Sequence, residues 1–229
     1  LMFCVGKHYG GYPIEKIIYK NKTRTCVIFL SSLPNGEKVA IKCLSTTHFS
    51  KQIKNELNAF NQFENNEDIV KCITTFRNAK RYCFVLKYAE NGDLYDYITK
   101  RTSINEDSIK IIIFRVLSAL AKLHDQGICH QDIKPENILL FNDESSAVLA
   151  DFGSAEALKR GEKSSSILGS PLYLSPEILT AKLHDQSADI WALGVTLYTL
   201  LSGELPFIGR NAKELLNEIN YRTKQGITT

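Results

Sequence analysis

Several features are missing from these 229 residues, and each absence narrows the class. No uncharged apolar run is longer than residues 190–201, which is too short to cross a bilayer. Residues 1–5 are too few for a secretory signal, and the chain opens on Leu1 rather than Met, as a piece of a longer protein would. Neither charge dominates: 28 basic and 25 acidic residues are interspersed and leave +3, so no nucleic-acid or membrane partner is expected. There is no Cys-x-x-Cys pair. Cys4, Cys26, Cys43, Cys72, Cys83 and Cys129 are scattered, mostly in apolar runs. They are expected to be reduced, buried thiols of an intracellular, cytoplasmic protein. No internal repeat or low-complexity tract occurs. What remains is globular, with 44% hydrophobic and 23% charged residues. Its length suits one large domain or two small lobes.

The densest chemistry lies in residues 129–140. Asp132, Lys134 and Asn137 stand at fixed offsets between an apolar helix and an apolar strand. A loop held by such greasy flanks is a rigid mount for functional side chains. It can aim a carboxylate at a hydroxyl, an ammonium at a phosphate and an amide oxygen at a metal ion.

Upstream, residues 12–19 and 26–30 read as strands, residues 33–36 as a turn, and residues 37–44 as an alternating strand. Lys42 shares a face with the small Ala40, so it can reach a ligand on that face. Alone, the pattern favours an exposed lysine on a half-buried strand. Residues 50–63 predict a helix with Ile53, Leu57 and Phe60 in a stripe. Glu56 borders that stripe, either as a partner for a sheet lysine or as a surface carboxylate. Strands over 70–76 and 82–88 follow, and Asn91-Gly92 breaks the chain. The expected lobes are therefore 1–90 and 91–229.

Beyond the break, residues 94–100 predict a short helix. Ser103 and Glu106 read as a capping box that opens a long helix to His124. Residues 138–141 and 147–150 form a strand pair. Asp151-Phe152-Gly153 leaves a strand end, where Asp binds a cation and Gly turns the chain, although the tripeptide is also a common turn. Residues 154–172 are long, polar and irregular, a length of loop that is functional or disordered. Residues 189–201 are apolar on all sides and predict a buried helix ending near Gly203. A last amphipathic helix is expected over 212–219.

Taken together, Val39-Ala40-Ile41-Lys42, Glu56, His130-Gln131-Asp132 through Asn137, Asp151-Phe152-Gly153, Ser175-Pro176-Glu177 and Asp189-Ile190-Trp191 resemble the eukaryotic protein kinases, of the serine/threonine type because Lys134 follows Asp132. Residues 187–207 are similar to the calcium/calmodulin-dependent-like branch. The resemblance implies an α+β two-lobed fold, with a small antiparallel sheet lobe and a larger, mainly helical lobe that is C-terminally truncated. It implies ATP and Mg²⁺ as cofactors, a protein substrate bearing Ser or Thr, and no assigned regulator. Lys42 would hold the ATP phosphates and pair with Glu56. Asp132 would take or orient the substrate hydroxyl proton, and Lys134 would neutralise the γ-phosphate. Asn137 and Asp151 would ligate Mg²⁺. Ala40 and Leu139 would sandwich adenine, with Leu86 as gatekeeper and main-chain groups of Lys87 and Ala89 on the ring edge. Asp93 would meet the ribose, and Glu136 a basic substrate residue. His130, Phe152, Phe60 and Cys72 would pack as an internal spine.

Four departures qualify the resemblance. The phosphate flap over 19–25 has no glycine, so Lys20, Lys22 and Arg24 are expected to offset the loss with charge. Gln131 replaces an arginine that meets a phosphate in relatives, so phosphorylation over 164–166 is not expected to be the main on-switch. Ser170 stands where relatives have Thr. Residues 220–229 are expected to supply no helix whose arginine could pair with Glu177, which leaves a buried carboxylate hydrated, paired with Arg222, or met by a longer natural chain. The flap and the short end favour an alternative, a pseudokinase-like scaffold. The complete set Lys42, Glu56, Asp132, Asn137 and Asp151 favours an enzyme. Residues 169–177 suit a protein substrate and disfavour a metabolite kinase.

Overall fold

The alternating runs on either side of residues 33–36 fold back on each other, because Gly36 takes φ 86, a left-handed value that strains any residue with a Cβ. The structure, a computed structural model, describes residues 3–100, 105–159 and 161–226. Its first half contains β1 (His8–Tyr9), β2 (Tyr12–Pro13), β3 (Lys16–Lys20), β4 (Cys26–Ser32), β5 (Lys38–Ser45), α1 (Ser50–Gln62), β6 (Cys72–Asn78) and β7 (Arg81–Lys87). The last five of these strands form one antiparallel sheet in the order β3-β4-β5-β7-β6.

The two-residue period sorts this sheet into two faces. Phe29, Val39, Ile41, Cys43, Cys83 and Val85 face outward under Tyr9 and Ile14. Leu44 and Phe84 face inward and pack with Ile53 and Phe60 of α1. The single strand expected over 12–19 is two strands. Ile14 N–H bonds to Lys7 and Glu15 N–H to Leu30, so the chain changes partner between them. The β1–β2 hairpin then lids the outer face: Phe3 meets Tyr9 at 4.6 Å, and Tyr12 stacks on Phe76 at 5.2 Å. Gly10 touches the Phe76 ring so closely that a Cβ would lie 2.1 Å from it.

The expectation of six free thiols is corrected at one pair. Cys43 and Cys83 are opposite each other across β5 and β7, with Cα atoms 4.2 Å apart, and are joined as a disulfide. Cys4, Cys26, Cys72 and Cys129 are free.

The second half contains α2 (Leu94–Thr99), α3 (Glu106–Asp125), β8 (Ile128–Cys129), β9 (Ile138–Leu140), β10 (Ala147–Leu149), β11 (Glu156–Ala157), α4 (Pro176–Leu179), α5 (Ser187–Ser202) and α6 (Ala212–Gln225). Helix α3 buries Ile109, Ile112, Val116, Leu120 and Leu123 at helical spacing. Its cap is Asn105, whose side chain accepts from Asp107 N–H; Ser103 of the expected capping box lies outside the described residues. Val70 N–H bonds to Leu149 and ties the sheet half to β10, so one apolar core runs through both halves.

Three expectations about the C-terminal helices change. Helix α5 is not buried all round: Ile190 and Leu201 are 48% and 46% exposed. Helix α6 continues past 219 to Gln225, helped by an i,i+4 pair between Glu218 and Arg222. Arg222 is thereby engaged with Glu218 rather than Glu177, and Glu177 itself is half-buried rather than buried. Among the described residues no helix is long and apolar enough to cross a membrane.

Candidate active site

Strand β5 turns Lys42 inward, and α1 turns Glu56 toward it from its buried stripe; they are 6% and 1% exposed. Lys42 Nζ donates to Glu56 Oε1 in a very short bond and to Asp151 Oδ1 at 3.0 Å. One ammonium thus joins the sheet, the helix and the strand end after β10. Asp151 sits in the left-handed region at φ 61, so the sharp turn expected of Gly153 is made by the aspartate instead. A Cβ at Gly153 would crowd Asp151 Oδ1 at 3.2 Å and make ordinary contact with Glu56 Oε1 and Gln52 Cβ, both at 3.4 Å. The Gly153 N–H returns to Asp151 Oδ1, and Asn55 Nδ2 donates to its carbonyl at 3.0 Å.

Two carboxylates share this one cation, and their ionisation separates accordingly. Burial works against the Lys42 charge, but Asp151 and Glu56 override it and raise Lys42 above its ordinary value. Loss of solvent raises Asp151 in turn, but the Lys42 ammonium overrides that and holds it down to about 2. Glu56 lies deepest, and burial pushes it up to about 7 against the pull of Lys42.

The loop after β8 is hung on Asp189 of α5. This fully buried carboxylate accepts His130 N–H and Gln131 N–H, both at 2.8 Å, and faces His124 Nε2 at 2.9 Å. His130 Nε2 lies 3.1 Å from the Ala150 carbonyl, which can only accept, so that nitrogen carries the proton. Nδ1 is then free to accept Asp132 N–H at 3.3 Å. The ring packs edge-on against Phe152, which packs on Phe60. His130, Phe152 and Phe60 therefore pack as expected, while Cys72 lies half-buried at the margin of that core.

Asp132 is surrounded by donors. Lys134 Nζ and Asn137 Nδ2 each reach Oδ2 at 2.9 Å; Ser170 N–H and Oγ each reach Oδ1 at 3.0 Å. Lys134 also donates to Ser170 Oγ at 2.7 Å, so Ser170 keeps the hydroxyl bond available to a threonine. The approach of Ser170 depends on Gly169, at φ 99, where a Cβ would lie 2.3 Å from the Gln131 carbonyl. Asn137 spends its amide nitrogen on the Asp132 carboxylate and carbonyl, which leaves the amide oxygen as its ligand atom. Ala150 N–H bonds to the Asn137 carbonyl at 2.9 Å, so Asn137 and Asp151 are neighbours.

The remaining candidates lie on β5, β7, β9 and the segments beside them. Ala40 pairs with Leu86 across β5 and β7, while Leu139 on β9 bridges to Asp93. Lys87 N–H is taken by Lys71 and its ammonium lies over Phe141, which leaves only the Lys87 carbonyl for a ligand. Ala89 N–H makes no main-chain bond among the described residues. Asp93 caps α2 by accepting Asp96 N–H at 2.8 Å, a structural duty the sequence reading did not give it. Glu136 is exposed. The glycine-free flap closes without strain relief from glycine: Arg24 itself adopts φ 53, and Arg81 Nη1 holds the Thr25 carbonyl at 3.2 Å.

The family described as protein kinase domain matches residues 24–228. The chain is 37% identical over 212 residues to 3-phosphoinositide-dependent protein kinase B of Dictyostelium discoideum, covering 90% of this chain and 22% of that protein. It is 36% identical over 193 residues to NUAK family SNF1-like kinase 2 of Rattus norvegicus, covering 81% and 30%. It is 31% identical over 202 residues to a probable myosin light chain kinase of Dictyostelium discoideum, covering 86% and 65%. The chain thus spans between 22% and 65% of the length of these relatives.

Proposed function

The chain belongs to the protein kinase domain family, and from that premise we propose that it transfers the γ-phosphate of Mg-ATP to serine and threonine hydroxyls of proteins. One observation carries the reading: Lys42 of the sheet reaches Glu56 of α1 and Asp151 beyond β10 at the same time. Phosphoryl transfer asks a protein mainly to position groups and neutralise charge, and an ammonium fixed between two carboxylates is suited to both.

In this reading the nucleotide lies between residues 1–90 and residues 91–229. Adenine sits between Ala40 and Leu139, beside Leu86, with the Lys87 carbonyl and the Ala89 N–H on its edge. The Asp93 oxygen not used for capping meets the ribose. Lys42 holds the α- and β-phosphates. The oxygen of Asn137 and the half-exposed carboxylate of Asp151 are hard donors that fit magnesium. Bound there, the ion would neutralise charge on the phosphate oxygens. Asp132, already fixed by Ser170, Lys134 and Asn137, orients the attacking hydroxyl and receives its proton. Lys134 moves its charge toward the γ-phosphate, and exposed Glu136 receives a basic residue of the substrate.

The test is transfer of radiolabelled phosphate from ATP to a basic protein by the wild type and by Asp132→Asn. Label in the wild type and at least about a hundredfold less in the variant is expected. Equal label in both would overturn the reading in favour of a scaffold.

A further inference from the structure

One carboxylate outside the set above gathers the residues that flank Asp132. Glu156 on β11 pairs in register with Cys129 of β8, just before the loop. Its Oε2 accepts from Gln131 Nε2 at 2.9 Å and from Ser164 Oγ at 2.5 Å, and its Oε1 from Ser166 Oγ at 3.4 Å. Ser166 N–H closes back on Ser164 Oγ at 3.0 Å. Ser164 is 4% exposed and its main chain is bridged to His184. Each of these donors is neutral, and Glu156 makes no ion pair among the described residues.

Gln131 is the pivot. It holds φ 64, an uncommon conformation for a residue with a long side chain, and it directly precedes Asp132. Asp189 takes its N–H, the Gly169 backbone packs on its carbonyl, and Glu156 takes its side-chain amide. A strained residue persists only where its surroundings over-determine it, and Glu156 at 2.9 Å, with His184 Nε2 at 3.4 Å from the same amide nitrogen, supplies the side-chain share of that restraint.

We propose that Glu156 is a positioning residue that works as a built-in anion: it orders Gln131 and the segment through Ser166 without any modification, and added negative charge at Ser164 disrupts that order. This rests on the reading of Asp132 as the group that meets the substrate hydroxyl. A dianion on Ser164 would face Glu156, which makes no ion pair among the described residues and feels the Lys51 charge only as a weaker, unbonded influence, and like charges in a partly desolvated site repel.

The experiment compares Glu156→Ala, Glu156→Gln, Gln131→Ala, the Glu156→Ala/Gln131→Ala pair, and Ser164→Asp with the wild type. Hydrogen exchange over residues 158–170 is measured alongside kcat and KM for ATP. We expect Glu156→Ala to lower kcat about tenfold or more, to leave KM for ATP within about twofold, and to speed exchange at Ser164 and Ser166. Glu156→Gln, which keeps an accepting oxygen, should recover part of the loss. The paired variant should be no worse than about the poorer single one, because both remove the same bond. Ser164→Asp should lower kcat and speed exchange. Unchanged exchange in Glu156→Ala would overturn the proposal, as would higher kcat in Ser164→Asp. If the wild type transfers no phosphate, the kinase reading fails by itself, and the exchange measurements still decide the role of Glu156.

Discussion

Lys42 Nζ and Asp151 Oδ1 are 3.0 Å apart although 109 positions separate them in the chain. That contact brings a sheet residue and a strand-end residue onto one point. Replacing Lys42 by Met removes the only cation shared by Glu56 and Asp151 in the described ion pairs. Loss of one such preorganised donor lowers kcat about 10²–10³-fold. The variant should keep its far-ultraviolet circular dichroism and lose phosphate transfer; transfer at the wild-type rate would refute the role.

Glu56 and Asp189 should act on stability with opposite signs. Glu56 is raised from 4.5 to about 7, so the folded protein holds its proton more tightly than the unfolded chain. Its contribution is full below the unfolded value and fades as pH climbs through the folded one. The stability of the wild type relative to Glu56→Gln, measured by urea unfolding from about pH 4 to pH 8, should therefore decline with rising pH.

Asp189 behaves the other way. Burial raises it, but bonds from His124, His130 and Gln131 override that and hold it below 3.8. Its contribution is present above the unfolded value and fades as pH falls through the lower folded one. Asp189→Ala strands three donors, which costs about 3 kcal/mol or more at neutral pH, and the difference from the wild type should shrink in acid. A pH-independent difference would contradict this ionisation.

Gly169 and Gly161 form a matched pair for testing how close the Ser170 segment packs. Both hold positive φ, but a Cβ at Gly161 meets nothing within 4 Å whereas one at Gly169 meets the Gln131 carbonyl at 2.3 Å. Gly161→Ala should cost only backbone strain of about 1 kcal/mol. Gly169→Ala should cost clearly more and lower kcat as Ser170 withdraws from Asp132. Equal melting temperatures for the two variants would argue against the close approach.

Thiol counting checks the disulfide. Alkylation in denaturant should add four labels without reductant and six with it, as read by intact mass. Six labels in both conditions would leave Cys43 and Cys83 as facing thiols.

What the sequence makes legible follows from how local each cause is. Lys42, Glu56, Asp132, Asn137 and Asp151 each sit in a short pattern tied to one element, and those elements form where the patterns put them. The duty of Asp189 was half-legible, since a lone carboxylate in an apolar helix needs several donors. Glu156, His184 and Ser164 meet only because β11 pairs with β8 and residue 164 bridges to residue 184, contacts no local pattern announces. The same holds for Cys43 and Cys83, whose separation of 40 carries no motif. The left-handed turn falls on Asp151 rather than Gly153, a placement no local pattern announces.

The hairpin over the outer sheet face has a practical consequence for anyone cutting this gene. The family match begins at residue 24, so trimming to it would discard Phe3, Tyr9, Tyr12 and the whole edge strand β3. Phe29, Val39, Ile41 and Val85 would then form a bare oily floor beside a β4 with one edge open, the kind of surface that sticks to its own copies.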